Sequence, residues 1–431
     1  MTVSTLALDG GTPVRAEAFP PTNTIGTEER EAVLDVLDSG SLSQFLGVWG
    51  DEFLGGKWVL RCEDAVRQRL GSAYAVSVNS ATTALQVSLA AVGIEPGDEV
   101  IVPPYTMSAT AASVVLQNAI PVFADIDDET YGLDPDSVAE RITPRTRAII
   151  AVHLFGHPAR MGELTALAER HGLRLIEDAA QSLGATWNGR ETGTIGDAGV
   201  MSLNRHKIVQ SGEGGVVVTD DPGIAQVAQL VRNHGEVVVA KTDLPTIANT
   251  VGSNYRLSEL HAAIATAQIA KLDDLLRVRQ ELGAHLGERL AQLPGLHPGL
   301  PAEGCTHGYY LFPVRLDHEL LGVSRTMLAR ALRAEGAPAT EGYVEPIYLQ
   351  PMYQQRIAHG TRGFPWTGGL WHGEVSYERG ICPVTERLYD SDLLLFDVCR
   401  VPLTTRDVDD VADAFEKVLE NVDRLRALDG E

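Results

Sequence analysis

Between about residue 25 and residue 230, short apolar runs alternate with stretches whose apolar residues recur every three to four positions. The second kind of spacing puts apolar side chains on one face of a helix, and it predicts helices over 28–38 (EEREAVLDVLD) and 80–93 (SATTALQVSLAAVG). The runs Tyr74–Val78, Glu99–Val102, Pro121–Ala124, Ala148–His153, Arg174–Ile176, Gly199–Ser202 and Gly215–Thr219 predict strands. Most are apolar at almost every position, which is expected of strands covered by helices on both faces. The alternation therefore predicts an α/β fold with a mostly parallel sheet.

Beyond this region the pattern changes. Residues 254–290 are strongly helical, with Leu257, Leu260, Ile264 and Ala267 on one spacing. A Pro/Gly cluster at 294–304 (PGLHPGLPAEG) then reads as a domain boundary. YYLFPVRL (309–316) predicts a strand, SRTMLARALRAEG (324–336) a helix capped by Ser324, and 405–427 a closing amphipathic helix. The span 353–380, rich in Gly, Trp and His, has no periodicity and reads as a long loop of the kind that often carries function. The expected organisation is an N-terminal arm (1–25), a large α/β domain with an interface helix (26–290) and a smaller α+β domain (291–431).

Composition narrows the class. The 431 residues are 44% hydrophobic and 22% charged, with a mean hydropathy of -0.03, which suits a soluble globular chain of two or three domains. A net charge of -23 and a pI near 4.9 argue against a nucleic-acid partner, which selects basic patches. Cys62, Cys305, Cys382 and Cys399 form no CxxC pair, so neither a zinc knuckle nor a disulfide framework is expected. No apolar run approaches the roughly 20 residues that span a bilayer, and MTVSTLALDGGTP lacks the pattern of a secretory signal. The expectation is a cytoplasmic protein without a membrane partner.

Four segments carry candidate chemistry. In GVMSLNRHKIVQSGEGGVVVT (199–219), Lys207 lies on a loop between two strands, and Gly212, Gly214 and Gly215 permit the turn back into the sheet. Most lysines are solvated surface charges. One held on a rigid loop at a strand end instead suits Schiff-base chemistry, because burial lowers its pKa and frees the amine. In RLIEDAAQSLGATW (174–187), Asp178 sits at the carboxyl edge of the sheet, where α/β proteins bind ligands. There it suits pairing with a pyridine nitrogen, or it simply caps a following helix. In VNSATTAL (78–85) a strand leads into a helix start that favours a phosphate, although Ser80 or Thr82 as a plain N-cap accounts for the same letters. In VPPYTM (102–107), Tyr105 follows a strand and is placed either to stack on a planar ring or to fill the core.

Taken with GGTPVR (10–15), NYRLSELHAAIATAQ (254–268) and CPVTERLYDSDLLLFDVCRVPLT (382–404), these segments resemble the DegT/StrS family of aminotransferases that act on keto-sugars and keto-cyclitols. The resemblance covers nearly the whole chain. It implies a fold-type I transferase with a seven-stranded, mostly parallel sheet, a smaller C-terminal domain and pyridoxal 5'-phosphate as cofactor. It implies that Lys207 is the Schiff-base lysine, Asp178 the partner of the pyridine nitrogen and Gln181 a neighbour of the ring hydroxyl. Ala81, Thr82 and Ser202 then hold the phosphate, Tyr105 stacks on the ring, and Asn254 reaches the phosphate of the neighbouring subunit in a homodimer with shared sites. The implied reaction takes an amino group from glutamate or glutamine and bears no metal.

The sequence departs from the family on the substrate side. Leu203 replaces an aromatic, and YVEPIYLQPMY (343–353) carries Tyr343 and Tyr348 where the family has substrate-facing histidines. Two other readings remain: a dehydratase of the same family, in which histidine replaces the lysine, and a non-catalytic regulatory protein. His206 lies next to the lysine, but counting from Ser202 the family's position is Lys207. The long segment 363–381 resembles relatives that act on cyclitols or unusual sugars in antibiotic pathways.

Overall fold

The computed structural model describes residues 4–429. The seven predicted strands form one sheet: β1 (Tyr74–Val78), β2 (Glu99–Val102), β3 (Ile120–Phe123), β4 (Thr146–Val152), β5 (Arg174–Asp178), β8 (Ala198–Ser202) and β9 (Gly215–Thr219), with a small β6–β7 hairpin (Thr186–Trp187, Arg190–Glu191) between β5 and β8. Their order is β1-β9-β8-β5-β4-β2-β3, and β9 alone runs against its neighbours. Successive residues of a strand face opposite sides of the sheet. Val76, Val200 and Val217 therefore enter one core with Leu85 and Val114, while Ala75, Met201, Val216 and Val218 enter another with Val59, Cys62 and Leu257. Helices cover both faces, among them α1 (Thr27–Ser39), α2 (Lys57–Leu70), α3 (Ala81–Ala91) and α4 (Ala109–Leu116).

A second, antiparallel sheet has the order β10-β11-β13-β12, formed by β10 (Leu296–Pro298), β11 (Phe312–Leu316), β12 (Thr340–Glu341) and β13 (Leu393–Phe396). Its core takes side chains from the helices Leu272–Leu290, Arg325–Ala334 and Thr405–Glu420, and from the arm through Leu6, Leu8, Val14 and Phe19. Ser324 caps its helix as predicted, its Oγ accepting from Met327 N at 3.2 Å.

Three elements differ from the sequence pattern. The helical span 254–290 is two helices, Glu259–Ile269 and Leu272–Leu290, and the closing helix breaks at Asn421. The strand predicted from residue 309 begins at Phe312, because Tyr309 adopts a left-handed φ of 44° that no strand tolerates. The span 353–380 is largely irregular, yet Trp366, Trp371 and Tyr377 are buried against the core of the large sheet. Residues 347–382 thus return to the large domain although they follow the Pro/Gly boundary. Among the described residues no helix is long and apolar enough to cross a membrane, no metal-ligand cluster occurs, and the four cysteines are free.

Candidate active site

The strand order places the carboxyl ends of β5 and β8 side by side, with that of β1 across the antiparallel β9, and the site forms in the crevice beyond them. The cavity has a volume of about 320 Å³. Asp178 ends β5 at its floor. Its Oδ2 accepts from Thr110 Oγ1 at 2.9 Å, and its Oδ1 accepts from Ala180 N at 3.2 Å. No helix begins after Asp178, so it is not a helix cap. Burial pushes its pKa up, against the opposing pull of Thr110, the Ala180 N–H and the Lys207 charge. The preceding residue faces away and does a structural job. Glu177 accepts from the backbone N–H groups of Gly193, Ile195 and Gly196 and pairs with His153 Nε2 at 2.9 Å. His153 Nδ1 accepts from Ala159 N, so its proton sits on Nε2.

Lys207 rides on the loop joining β8 to β9. That loop is tied off by Leu203 N to Gly214 O at 2.9 Å and Arg205 N to Gly212 O at 3.1 Å, and Gly212 takes a φ of 87° that favours glycine. The ammonium lies 4.4 Å from the centroid of the Tyr310 ring. Burial pulls the Lys207 pKa down to about 8, and the nearby Asp178 charge offsets part of that pull. About a tenth of the amine is therefore free near pH 7, far more than for an ordinary lysine, as a nucleophile requires.

The opposite end of the cavity is the start of α3. Ser80 is its N-cap, with Oγ accepting from Thr83 N at 3.1 Å. Among the described residues the N–H groups of Ala81 and Thr82 have no partner, and Thr82 is exposed. Gly215 brings β9 so close that a Cβ there would lie 2.6 Å from Ala81 N. Ser202, at the end of β8, completes this wall. Gln181 spans the side: its Oε1 accepts from Phe155 N at 2.9 Å and its Nε2 donates to Tyr343 Oη at 3.1 Å.

Of the residues singled out from the sequence, Ala81, Thr82, Asp178, Gln181, Ser202, Lys207 and Tyr343 line this one cavity. Two aromatic expectations are corrected. Tyr105 is 0% exposed; its hydroxyl accepts from Tyr343 N at 2.8 Å behind the cavity, and a ring with no accessible surface has no face to offer a ligand. Met107, 58% exposed, lines the wall in its place. Tyr348 is also 0% exposed, packed on Phe123 in the core with its hydroxyl donating to Glu386, so it is no substrate contact. Asn254 is exposed and lies outside its own chain's cavity. Sequence reasoning missed Thr110 and Tyr310. Thr110 is masked by the apolar run of α4, and Tyr310 by the apparent strand YYLFPVRL.

The donor set fits pyridoxal phosphate. A carboxylate anchored on two sides suits a ring nitrogen, free N–H groups at a helix start suit a phosphate, and a buried primary amine stands between them.

The chain matches, over residues 23–378, the model of the DegT/DnrJ/EryC1/StrS aminotransferase family. It is 36% identical over 429 residues to an L-glutamine:2-deoxy-scyllo-inosose aminotransferase of Streptomyces kanamyceticus, covering 97% of each chain. It is 35% identical to an L-glutamine:scyllo-inosose aminotransferase of Streptomyces griseus, over 97% of this chain and 98% of that one. Among solved structures it resembles an aminotransferase from Psychrobacter cryohalolentis, with a TM-score of 0.78 at 30% identity over 94% of this chain and 100% of that one. DesI, solved in the presence of its TDP-sugar product, gives a TM-score of 0.77 at 30% identity over 98% of this chain and 97% of that one.

Proposed function

The chain belongs to the DegT/DnrJ/EryC1/StrS aminotransferase family, whose aminotransferases depend on pyridoxal phosphate, and on that premise we propose that it moves the amino group of glutamine onto a keto-cyclitol. The observation that carries the reading is the pairing, in one small cavity, of a lysine held near a pKa of about 8 with a carboxylate fixed by two hydrogen bonds. The full-length likeness to two glutamine-dependent inosose aminotransferases supports the choice of donor and acceptor.

Bound pyridoxal phosphate supplies an aldehyde carbon for amino-group exchange and a pyridinium ring that accepts the electron pair left at the donor's Cα. The chain's residues do the rest. Ala81 and Thr82 N–H, with the Thr82 and Ser202 hydroxyls, would hold the phosphate. Asp178 would keep the proton on the ring nitrogen, and Gln181 would lie beside the ring with its amide fixed by Phe155 and Tyr343. Lys207 Nζ would bind the cofactor carbon at rest. Once displaced by the donor, it would take the proton from the donor's Cα and carry it to the cofactor's aldehyde carbon. With the keto acceptor it would move a proton the other way, onto the carbon that gains nitrogen.

A homodimer completes the reading. Leu34 and Leu37 on α1, and separately Val237 and Val251, are exposed apolar side chains that a second copy would cover, and Asn254 would then reach the partner's phosphate. The test supplies the purified protein with pyridoxal phosphate, L-glutamine and either scyllo-inosose or its 2-deoxy analogue. An aminated cyclitol is expected. Cofactor binding without an aminated product from either ketone would overturn the proposal.

A further inference from the structure

Next to the cavity, and sharing His206 and Lys207 with it, lies a second pocket of about 520 Å³. The arm contributes Thr22 and Thr24, the lysine loop contributes Arg205, the helix Leu272–Leu290 contributes Arg279, and the stretch after β13 contributes Asp397 and Arg400. Three guanidinium groups thus meet one carboxylate, in a chain whose net charge is -23. Arg400 uses that carboxylate: its Nε lies 3.0 Å from Asp397 Oδ2, and its Nη1 is committed to Thr22 Oγ1 at 2.6 Å and Pro20 O at 3.1 Å.

Arg279 is different. It is only 6% exposed, and Nη1 donates to Tyr309 O at 2.6 Å. Among the described residues no carboxylate lies within ion-pair distance of it, and burial pulls its pKa down, with Asp397 acting only as a more distant charge. A buried cation without a counter-ion is costly to keep unless an anion joins it. Arg205 stands exposed on the wall of the same pocket.

We propose that this pocket is an anion subsite in which Arg279 and Arg205 take the α-carboxylate of the amino-acid donor, leaving its amino group facing Lys207. The inference rests on the aminotransferase reading above. Guanidinium groups match a carboxylate through paired N–H donors. Geometry selects the donor as the source of the anion. Its carboxylate is bonded to the carbon that carries the amino group, so it must lie close to the lysine amine, and Lys207 is one of the residues that line this pocket. A cyclitol acceptor carries no charge, and the cofactor phosphate has its own place at the start of α3. The competing source of an anion is the diphosphate of a nucleotide-linked acceptor.

The test uses the cofactor-loaded enzyme and follows its reaction with L-glutamine alone through the cofactor's absorbance, in Arg279→Lys and Arg205→Gln. Losing or misplacing one charge-assisted pair raises the half-saturating glutamine concentration about tenfold or more. Cofactor loading and the half-saturating concentration of the keto acceptor stay unchanged. In the cofactor-free protein, 2-oxoglutaramate, a carboxylate without the amino group, raises the melting temperature of the wild type and not of the variants. Arg205, on the surface, keeps the test readable if Arg279→Lys does not fold. An unchanged glutamine dependence in a wild-type-like background overturns the subsite alone. A shift confined to the acceptor, or a thermal shift with a nucleoside diphosphate and none with the oxo acid, reassigns the arginines and overturns it too. Absence of amino transfer from any amino acid in the wild type overturns the functional reading first, and the subsite with it.

Discussion

Thr110 donates from Oγ1 to Asp178 Oδ2 at 2.9 Å, linking the first turn of α4 to the end of β5. With Ala180 N on the other oxygen, the carboxylate cannot rotate away from the cavity. The same bond opposes the upward push of burial on the Asp178 pKa. Thr110→Val keeps the shape and removes the donor. Its expected effect is a fall in kcat/KM of about tenfold, near 1.4 kcal/mol, with cofactor still bound. The folded-state pKa of Asp178 rises further in this variant, so the acid limb of the pH–rate profile moves to higher pH. Thr110→Ser restores both. A pH profile identical to wild type in Thr110→Val would show that Thr110 only packs.

Asp178→Asn removes the anion while leaving the size of the side chain. Cofactor binding is expected to persist through the phosphate contacts, while turnover falls roughly 10²-fold or more, about 2.7 kcal/mol of barrier. Steady-state kinetics on protein with a measured cofactor content decide the matter. Near-normal turnover sinks the assigned role.

Lys207 carries a pKa pulled down to about 8 from an ordinary value of 10.5. Below pH 8 the free amine grows about tenfold per pH unit, and above it the fraction levels off. The rate at which cofactor-free protein captures pyridoxal phosphate should follow that curve. Borohydride reduction should then fix the cofactor on the Lys207 peptide, and Lys207→Ala should abolish both capture and turnover. Lys271 is the contrasting case: its ammonium lies 2.8 Å from Glu29 and 2.9 Å from Glu28, which raise its pKa, so it should remain unlabelled. A label on Lys271 or Lys241 would refute the assignment.

Residues at strand ends were the most legible part of this chain. Asp178, Ser202 and Lys207 follow or end apolar runs too short for helices, and a parallel sheet sends such positions to one edge whatever the details of packing. Tyr105 and Tyr348 were not legible in the same way. Whether an aromatic after a strand faces a ligand or the core depends on which side of one turn it falls. Here Met107 faces the cavity, while Tyr105 turns in to meet Tyr343 N. The run YYLFPVRL hid Tyr310, because a positive φ at Tyr309 is invisible in letters of high strand propensity. Segment 353–380 lacked a period because it packs through single aromatic anchors, which repeat at no fixed interval.

The shared-site dimer has its own test, motivated by the exposed Asn254 beyond its own cavity. Lys207→Ala and Asn254→Ala proteins are each prepared, then mixed under conditions that exchange subunits. In a mixed dimer one site carries both lesions and the other neither, so activity returns. The comparison is readable when Asn254→Ala is itself nearly inactive, which requires its phosphate contact to be worth at least the 1.5–3 kcal/mol typical of a bond to a charged group. Exchange shown by mass labelling, with no return of activity, would place Asn254 in its own subunit's function.

The last prediction separates stability from catalysis, and it rests on Trp371. Its Nε1 donates to Glu99 Oε1 at 2.8 Å, and Glu99 is 1% exposed at the first residue of β2. Arg145 Nε at 2.8 Å and Thr143 Oγ1 at 2.5 Å share that carboxylate. Five residues earlier in the chain, Trp366 Nε1 donates to Tyr377 Oη at 2.9 Å, which in turn donates to Pro121 O at 2.8 Å. These bonds pin the irregular segment to the amino ends of β2 and β3, the edge of the sheet opposite the active site. Trp371→Phe leaves Glu99 two donors and removes one, so the expected loss is about 1–2 kcal/mol of unfolding free energy. Trp371→Ala also empties a buried volume, for a loss of about 3–5 kcal/mol. Because the anchor lies at the far edge, turnover per folded molecule should stay within about twofold of wild type in Trp371→Phe. Denaturant melts and active-site titration on the same samples supply both quantities. A variant of unchanged stability that lost most of its turnover would show that the segment reaches the reacting groups, contrary to its placement in the fold.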